Sequence, residues 1–478
     1  MTVLDNNEIQ GLVARGYGSL PAARYQLLRI VDGRTARAAL GALAERVTNV
    51  ATRAEAVVNV AFTYDGLEAL GLDEDTLSTF AFEFREGMTA PHRRPILGDH
   101  DENAPERWEW GGPDTTAVHL LLILFAADEP ALAALEAEVT GAWPAGAFDC
   151  LASLEANVLR HPTTGAFMEH FGFADGLSDP AVEGLRDEGP PEQRVKAGEF
   201  LLGYKNEYGR VTTRPLVPAA RDPQRLLPDA ADEPGHRDLG RNGTYLVFRH
   251  LRQDVKRFWE VLDDAARVGG ADASERTRLA AKTVGRWPSG APLVKAPHAD
   301  VPALGKDNDF GYHHEDPEGL ACPVGAHIRR TNPRDSLEPG PGTAKSLAVN
   351  RLHRLLRRGR TYGVPLSASF EPDEILASDG EGDRGLFFIC LNANIGRQFE
   401  FVQHTWANNP KFGGLYEETD PVIGVRKPAG RLSAGTFTIP EDPVRRRLTS
   451  LPHFVEVRGG AYFFLPGIRA LRYFAALP

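Results

Sequence analysis

Cysteine is almost missing from this chain. Its three thiols, Cys150, Cys322 and Cys390, lie far apart among 478 residues, so no disulfide framework organises it. No C-x-x-C pair occurs, which disfavours a structural zinc site, and no C-x-x-C-H, the motif of covalent c-type haem attachment. Long apolar runs are lacking too. The longest, around Ala117–Ala127, is interrupted by His119 and falls far below the ~20 residues of a membrane-spanning helix. The opening MTVLDNNEIQ has neither the basic patch nor the apolar run of a signal peptide, and the expectation is a soluble, cytoplasmic protein with no membrane partner. Positive charge is in deficit: 54 Lys+Arg against 65 Asp+Glu leave a net charge of −11, which argues against nucleic acid as a partner.

Familiar catalytic motifs are equally scarce. The segment Gly340–Ser346 (GPGTAKS) lacks the glycine before lysine that a P-loop requires, and neither H-E-x-x-H nor G-x-S-x-G occurs. The acidic turn Asp379–Asp383 lacks the spacing and closing Glu of a calcium loop. What remains is an ordinary globular composition, 42% hydrophobic and 25% charged, able to bury a sizeable core.

The hydrophobic pattern has an order. Ala23–Val31 reads as a strand, Arg34–Val47 as a helix, Ala56–Phe62 and Val118–Ala126 as strands, and Pro130–Val139 as a helix. After Gly243 the same grammar restarts, with strand Thr244–Arg249, helix Val255–Leu262, strand Leu386–Leu391, helix Ile395–Trp406 and strand Phe454–Leu465, whose Gly459-Gly460 suggests an internal turn. Strand–helix–strand–strand–helix–strand, twice, predicts an α+β protein of two ferredoxin-like units, antiparallel sheets with helices packed on them. The expected division is 1–242, with a long surface insertion over 180–242, and 243–478. Arg286–Gly319 reads as a second irregular insertion.

Three clusters stand out. FGFADGLSDP (Phe171–Pro180) places Asp175 on a tight glycine turn. ACPVGAHIRRTNPR (Ala321–Arg334) carries one histidine, His327, ahead of Arg329 and Arg330. RLLRRGRTYG (Arg354–Gly363) is dense in arginine. Taken singly, each has a plain structural reading: a β-turn, a satisfied histidine, a solvated basic helix end.

Together and in this order they resemble the dye-decolorizing peroxidase family of haem enzymes. The G-x-x-D-G signature is Gly172-Phe173-Ala174-Asp175-Gly176. The proximal-histidine segment is Cys322–Arg334, the distal-arginine segment is Leu355–Gly363, and a fourth match, Arg384–Phe388, leads to Gln398–Phe401. The similarity runs from about Gln10 to about Phe464, and the chain's length is similar to that of the longer bacterial branch.

The resemblance implies a peroxidase that uses hydrogen peroxide to oxidise small organic reductants such as dyes and phenols. Its cofactor is then haem b, non-covalent, one per chain and seated mainly in the C-terminal half. His327 becomes the iron ligand, since a peroxidase needs one axial imidazole and one open axial position. Asp175 becomes the acid–base group and Arg357 the fixed charge in O–O heterolysis to a ferryl intermediate. Gly176, Leu386 and Phe388 are expected at the cofactor, and Arg329 at a propionate. The partner of the imidazole's other nitrogen is open among Asp309, Glu315 and several later acids. The six tryptophans, Trp108, Trp110, Trp143, Trp259, Trp287 and Trp406, are relay candidates for large substrates. The acid-rich loops leave Mn(II) oxidation open, and a homo-oligomer is compatible with the sequence. An aspartate base implies activity below neutrality. The competing reading is a haem-binding or haem-iron handling protein with little turnover, which needs His327 but gives Asp175 and Arg357 no task.

Overall fold

The computed structural model describes residues 3–185, 194–268, 273–426 and 435–478. In the first part of the chain β1 (Ala22–Ile30) leads into α1 (Gly33–Arg46), β2 (Ala56–Phe62), β3 (Leu120–Ala126), α2 (Glu129–Gly141) and β4 (Phe148–Ala156). Both helices start on side-chain caps: Asp32 accepts from the Thr35 N–H, and Asp128 from the Ala131 N–H. In the second part β5 (Thr244–Gln253) is followed by α3 (Val255–Val268), α4 (Ala273–Val284) and the short α5 (His327–Thr331). Then come β6 (Leu356–Arg357), β7 (Arg360–Tyr362), β8 (Gly385–Asn392), β9 (Val455–Leu465) and α6 (Ile468–Ala475).

Among the described residues, nine strands form one antiparallel sheet in the order β6-β8-β5-β9-β2-β3-β1-β4, with β7 also on β8. Each group of four follows the ferredoxin-like order, and the architecture is α+β as the hydrophobic pattern predicts. The groups meet where β9 pairs with β2 through Phe464 and Phe62. The near-continuous apolar run of β3 follows from its place, since both faces of the sheet are buried there. Leu120, Leu122 and Leu124 pack with Leu40, Leu43, Leu132 and Leu135 beneath the helices, while Leu121, Ile123 and Phe125 face a second core.

That second core corrects one expectation. Part of segment 180–242 is not a surface insertion: Val195, Ala197, Phe200, Leu201 and Tyr204 are buried against Leu121, Ile123 and Phe125. Its irregular backbone seals a sheet face. Residues 186–193 of it lie outside the described residues. Arg286–Gly319 is likewise irregular yet carries buried Trp287, Leu293 and Tyr312.

Two further differences are local. Gly459 and Gly460 make no turn, and β9 runs through them. A Cβ on Gly459 would lie 2.6 Å from Trp110 Nε1, and one on Gly460 would lie 2.9 Å from Met88 Sδ, so the glycines admit close neighbours to a continuous strand. The helix expected over Ile395–Trp406 forms as two π-helical stretches, Gly396–Glu400 and Val402–Ala407. No helix among the described residues is long and apolar enough to cross a membrane.

Candidate active site

One face of the sheet's second group floors a cavity of about 300 Å³. Alternation along the strands sends Leu251 and Gln253 of β5, Leu386 and Phe388 of β8, and Val455 and Val457 of β9 into it. The intervening Phe387 and Ile389 point into the opposite core. Leu386 and Phe388 thus both line this cavity.

His327 opens α5 and reaches the cavity from the helical side. Its Nδ1 lies 2.9 Å from Oδ2 of Asp420, which is fully buried. The other oxygen of Asp420 accepts from the backbone N–H groups of Val422 and Ile423 at 2.9 and 3.0 Å. With a carboxylate as its partner, Nδ1 carries the proton, so Nε2 is the nitrogen with a free lone pair. Burial opposes a charge on the imidazole, but the Asp420 carboxylate outweighs it and raises the pKa of His327. Burial also opposes the charge on Asp420, and His327 more than offsets that, lowering its pKa.

Asp420 is the carboxylate that the sequence reading leaves open. Glu315 instead accepts from the Gly311 N–H, and the Asp309 N–H donates to Asp307. Asp420 lies 93 residues beyond His327, and no local pattern marks it.

Asp175 faces the same cavity from the loop that follows β4. Gly172, at φ +92°, has room for a Cβ only at 3.2 Å from the Phe370 carbonyl oxygen, which accounts for the glycine in the turn before it. Oδ1 of Asp175 accepts twice, from the Gly176 N–H at 2.6 Å and from Arg357 Nη1 at 2.8 Å. Oδ2 has no hydrogen-bond partner among the described residues. Burial pushes the Asp175 pKa up, but Arg357, the Gly176 N–H and His327 together bring it below the ordinary aspartate value. Asp175 in turn raises the pKa of Arg357. Because His327 and the Asp175–Arg357 pair feel each other's charge, the three groups brought together by the sequence reading face one space.

Two expected ligands of the cofactor sit elsewhere. Gly176 does not line the cavity and serves Asp175 through its N–H. Arg329 is buried behind α5, where Nη1 donates to the Cys322 carbonyl at 2.7 Å and to Asp316 at 3.1 Å, with its guanidinium over the Tyr312 ring. Its direction along the helix turn differs from that of His327. The cations on the cavity wall are instead Arg354, Arg286, Arg357 and Arg249. Arg249 is paired with Asp99, and Arg357 with Asp175. Among the described residues Arg354 and Arg286 donate only to oxygens of uncharged groups. These are the Ser178 carbonyl for the first, and the Gly290 and Asp307 carbonyls and the Asn308 side chain for the second. Burial, with Arg334 nearby, pushes both guanidiniums down to about 10. Arg286 is buried and Arg354 half-buried, and cations so enclosed with no carboxylate bonded to them mark a place for an anion.

A cavity lined by one imidazole, a carboxylate–guanidinium pair and cations hydrogen-bonded to no carboxylate suits a flat, dianionic, iron-bearing macrocycle. Comparison with known proteins agrees. No family model matches the chain. A dye-decolorizing peroxidase of Exidia glandulosa is 30% identical, over 98% of this chain and 86% of its own length. The chain belongs to the dye-decolorizing peroxidase family. A multifunctional dye peroxidase of an Amycolatopsis species is 33% identical, over 77% of this chain and 74% of its own. The solved structure of a family member in complex with 2,6-dimethoxyphenol superposes with a TM-score of 0.76 at 28% identity, over 99% of this chain and 100% of that one. As a dye-decolorizing peroxidase the protein is a haem enzyme. Its tryptophans are all buried or half-buried, Trp143 the least so. No group of three or more His, Cys, Asp or Glu among the described residues could hold a metal ion.

Proposed function

We propose that this dye-decolorizing peroxidase holds one non-covalent haem b per chain, mainly within residues 243–478, with His327 Nε2 on the iron and Arg354 and Arg286 facing the propionates. The division of the chain into 1–242 and 243–478 belongs to the same reading. Haem, when bound, supplies the iron at which hydrogen peroxide is reduced and the oxidising equivalents passed to organic reductants. Everything else is done by the chain's own side chains.

Asp420 keeps the proton on Nδ1 and makes Nε2 a stronger donor. In the same cavity, Oδ2 of Asp175 is the oxygen available to take a proton from peroxide and return it to the departing oxygen. Arg357 has two tasks. It holds Oδ1 so that Oδ2 points consistently, and it supplies positive charge where the peroxide oxygen becomes negative. Leu386 and Phe388 keep that space dry, which strengthens both effects. Phenols and dyes are the reductants, by analogy with the relative that binds 2,6-dimethoxyphenol.

The observation that carries this reading is the 2.8 Å contact between Arg357 and Asp175 in the cavity that His327 also lines. A protein that merely stores haem has no use for it. The test is rapid mixing of Asp175→Asn holoenzyme with hydrogen peroxide, followed in the Soret band. The expected result is a rate lower by about 10²–10⁴-fold; a wild-type rate would overturn the assignment.

A further inference from the structure

We propose that Glu169 is a positioning residue for Asp175, fastening through its carboxylate the turn that aims Asp175 at Arg357. The inference rests on the role given to Asp175 above and adds a residue that neither motif nor resemblance marks.

Glu169 lines the same cavity, six residues before Asp175, and its contacts bind the intervening turn to itself. Oε2 accepts from the Phe171 N–H at 2.9 Å and Oε1 from the Phe173 N–H at 3.0 Å. The main chain closes the same loop, since the Gly172 N–H donates to the Glu169 carbonyl and the Glu169 N–H to the Phe173 carbonyl, each at 3.0 Å. One contact comes from outside: Gln253 Nε2, on β5, donates to Oε2 at 2.8 Å. The carboxylate thus ties the turn to the sheet floor. From the other side Trp259 Nε1 donates to the Phe171 carbonyl at 3.1 Å.

Three donors converging on two oxygens call for a carboxylate. An amide in its place would aim an NH2 group at an N–H and lose at least one bond. Burial works the other way and pushes the Glu169 carboxyl up to about 7, so the group is costly to keep where it stands. Its charged surroundings give it no ion pair: Arg357 is engaged by Asp175, Arg249 by Asp99, and His170 Nε2 donates to the Tyr362 carbonyl. Holding the turn is the task its contacts describe, and Ala174 and Asp175 follow directly from the last residue held.

The experiment is a double-mutant cycle between Glu169→Gln and Asp175→Asn in haem-loaded protein, read by the rate of reaction with peroxide. A second readout is the rate of cyanide association with the resting ferric protein, which also requires removal of a proton. With Asp175 present, Glu169→Gln should lower both rates by about tenfold, because a small misplacement of an acting group is costly, with the resting Soret band unchanged. In the Asp175→Asn background it should change neither by more than about twofold, since coupled residues are not additive. Wild-type rates for Glu169→Gln, or an equal fall in both backgrounds, would overturn the proposal. If Glu169→Gln does not take up haem, Gln253→Leu removes one donor from outside the turn and should give a fall of about threefold with the same dependence on Asp175. An Asp175→Asn protein that reacts as fast as wild type would instead refute the role of Asp175 itself.

Discussion

Arg357 and Asp175, 182 residues apart in sequence, are joined by a 2.8 Å hydrogen bond from Nη1 to Oδ1. The bond sets the acid limit of the proposed chemistry. Burial alone would raise the Asp175 pKa, and the guanidinium leads the groups that together reverse the sign. A carboxyl with a lowered pKa remains a base until the pH falls through that lowered value, so the acid limb that Asp175 itself sets on the peroxide step should lie below about pH 4, separate from any step near pH 7 that protonation of Glu169 adds. Arg357→Leu removes the largest of the effects that oppose burial, so its limb should move to higher pH and its plateau should fall by about 10²-fold. Rate–pH profiles of the two proteins check both.

Asp420 should matter through the imidazole. Asp420→Asn keeps the shape but removes the negative charge from Nδ1, so Nε2 becomes a poorer donor. Haem affinity should drop by about 10–100-fold, and the ferric–ferrous potential should rise. Haemin titration of the apoprotein and redox titration measure the two effects. Unchanged values would mean that the 2.9 Å contact is only orientational.

Arg354 and Arg329 should separate cleanly. Arg354→Leu should weaken binding of haemin but hardly affect its dimethyl ester, because the lost contact is to a carboxylate. Arg329→Leu leaves Asp316 buried without its partner. That should cost about 3–5 kcal/mol of stability in chemical denaturation, with haemin affinity of the folded protein unchanged.

His250 gives a pH test of the fold. Neither ring nitrogen has a hydrogen-bond partner among the described residues, and burial brings its pKa down to about 4. An unfolded histidine protonates near ~6.5. As pH falls from about 6.5 to about 4, the unfolded chain takes up a proton that the folded one refuses, and up to roughly 3 kcal/mol of stability is lost. His250→Phe, packed against Tyr362 and Phe387, should flatten that part of the stability–pH curve.

How much of the site is legible in the sequence follows from distance along the chain. Asp175, His327 and Arg357 each sit in a local signature: a glycine turn, a short helix start and an arginine-rich strand edge. Such signatures are visible in a few consecutive residues. Asp420 has none, because its role depends on a turn that folds back onto α5. Arg329 departs from its expected place at a propionate for a related reason: two residues along a helix turn the side chain away from the face His327 uses. Strand positions are legible from alternation and apolar runs. The part played by residues 195–204 is not, because a segment that seals a sheet through scattered side chains has no period to detect.

The cavity draws Asp175 from before residue 243 and His327 and Arg357 from after it, on a sheet whose two groups of strands touch through Phe464 and Phe62. Neither portion, made separately, would own a complete pocket. A porphyrin held there, as proposed, would load only onto the finished molecule and would rivet together stretches of polypeptide that the ribosome delivers far apart in time.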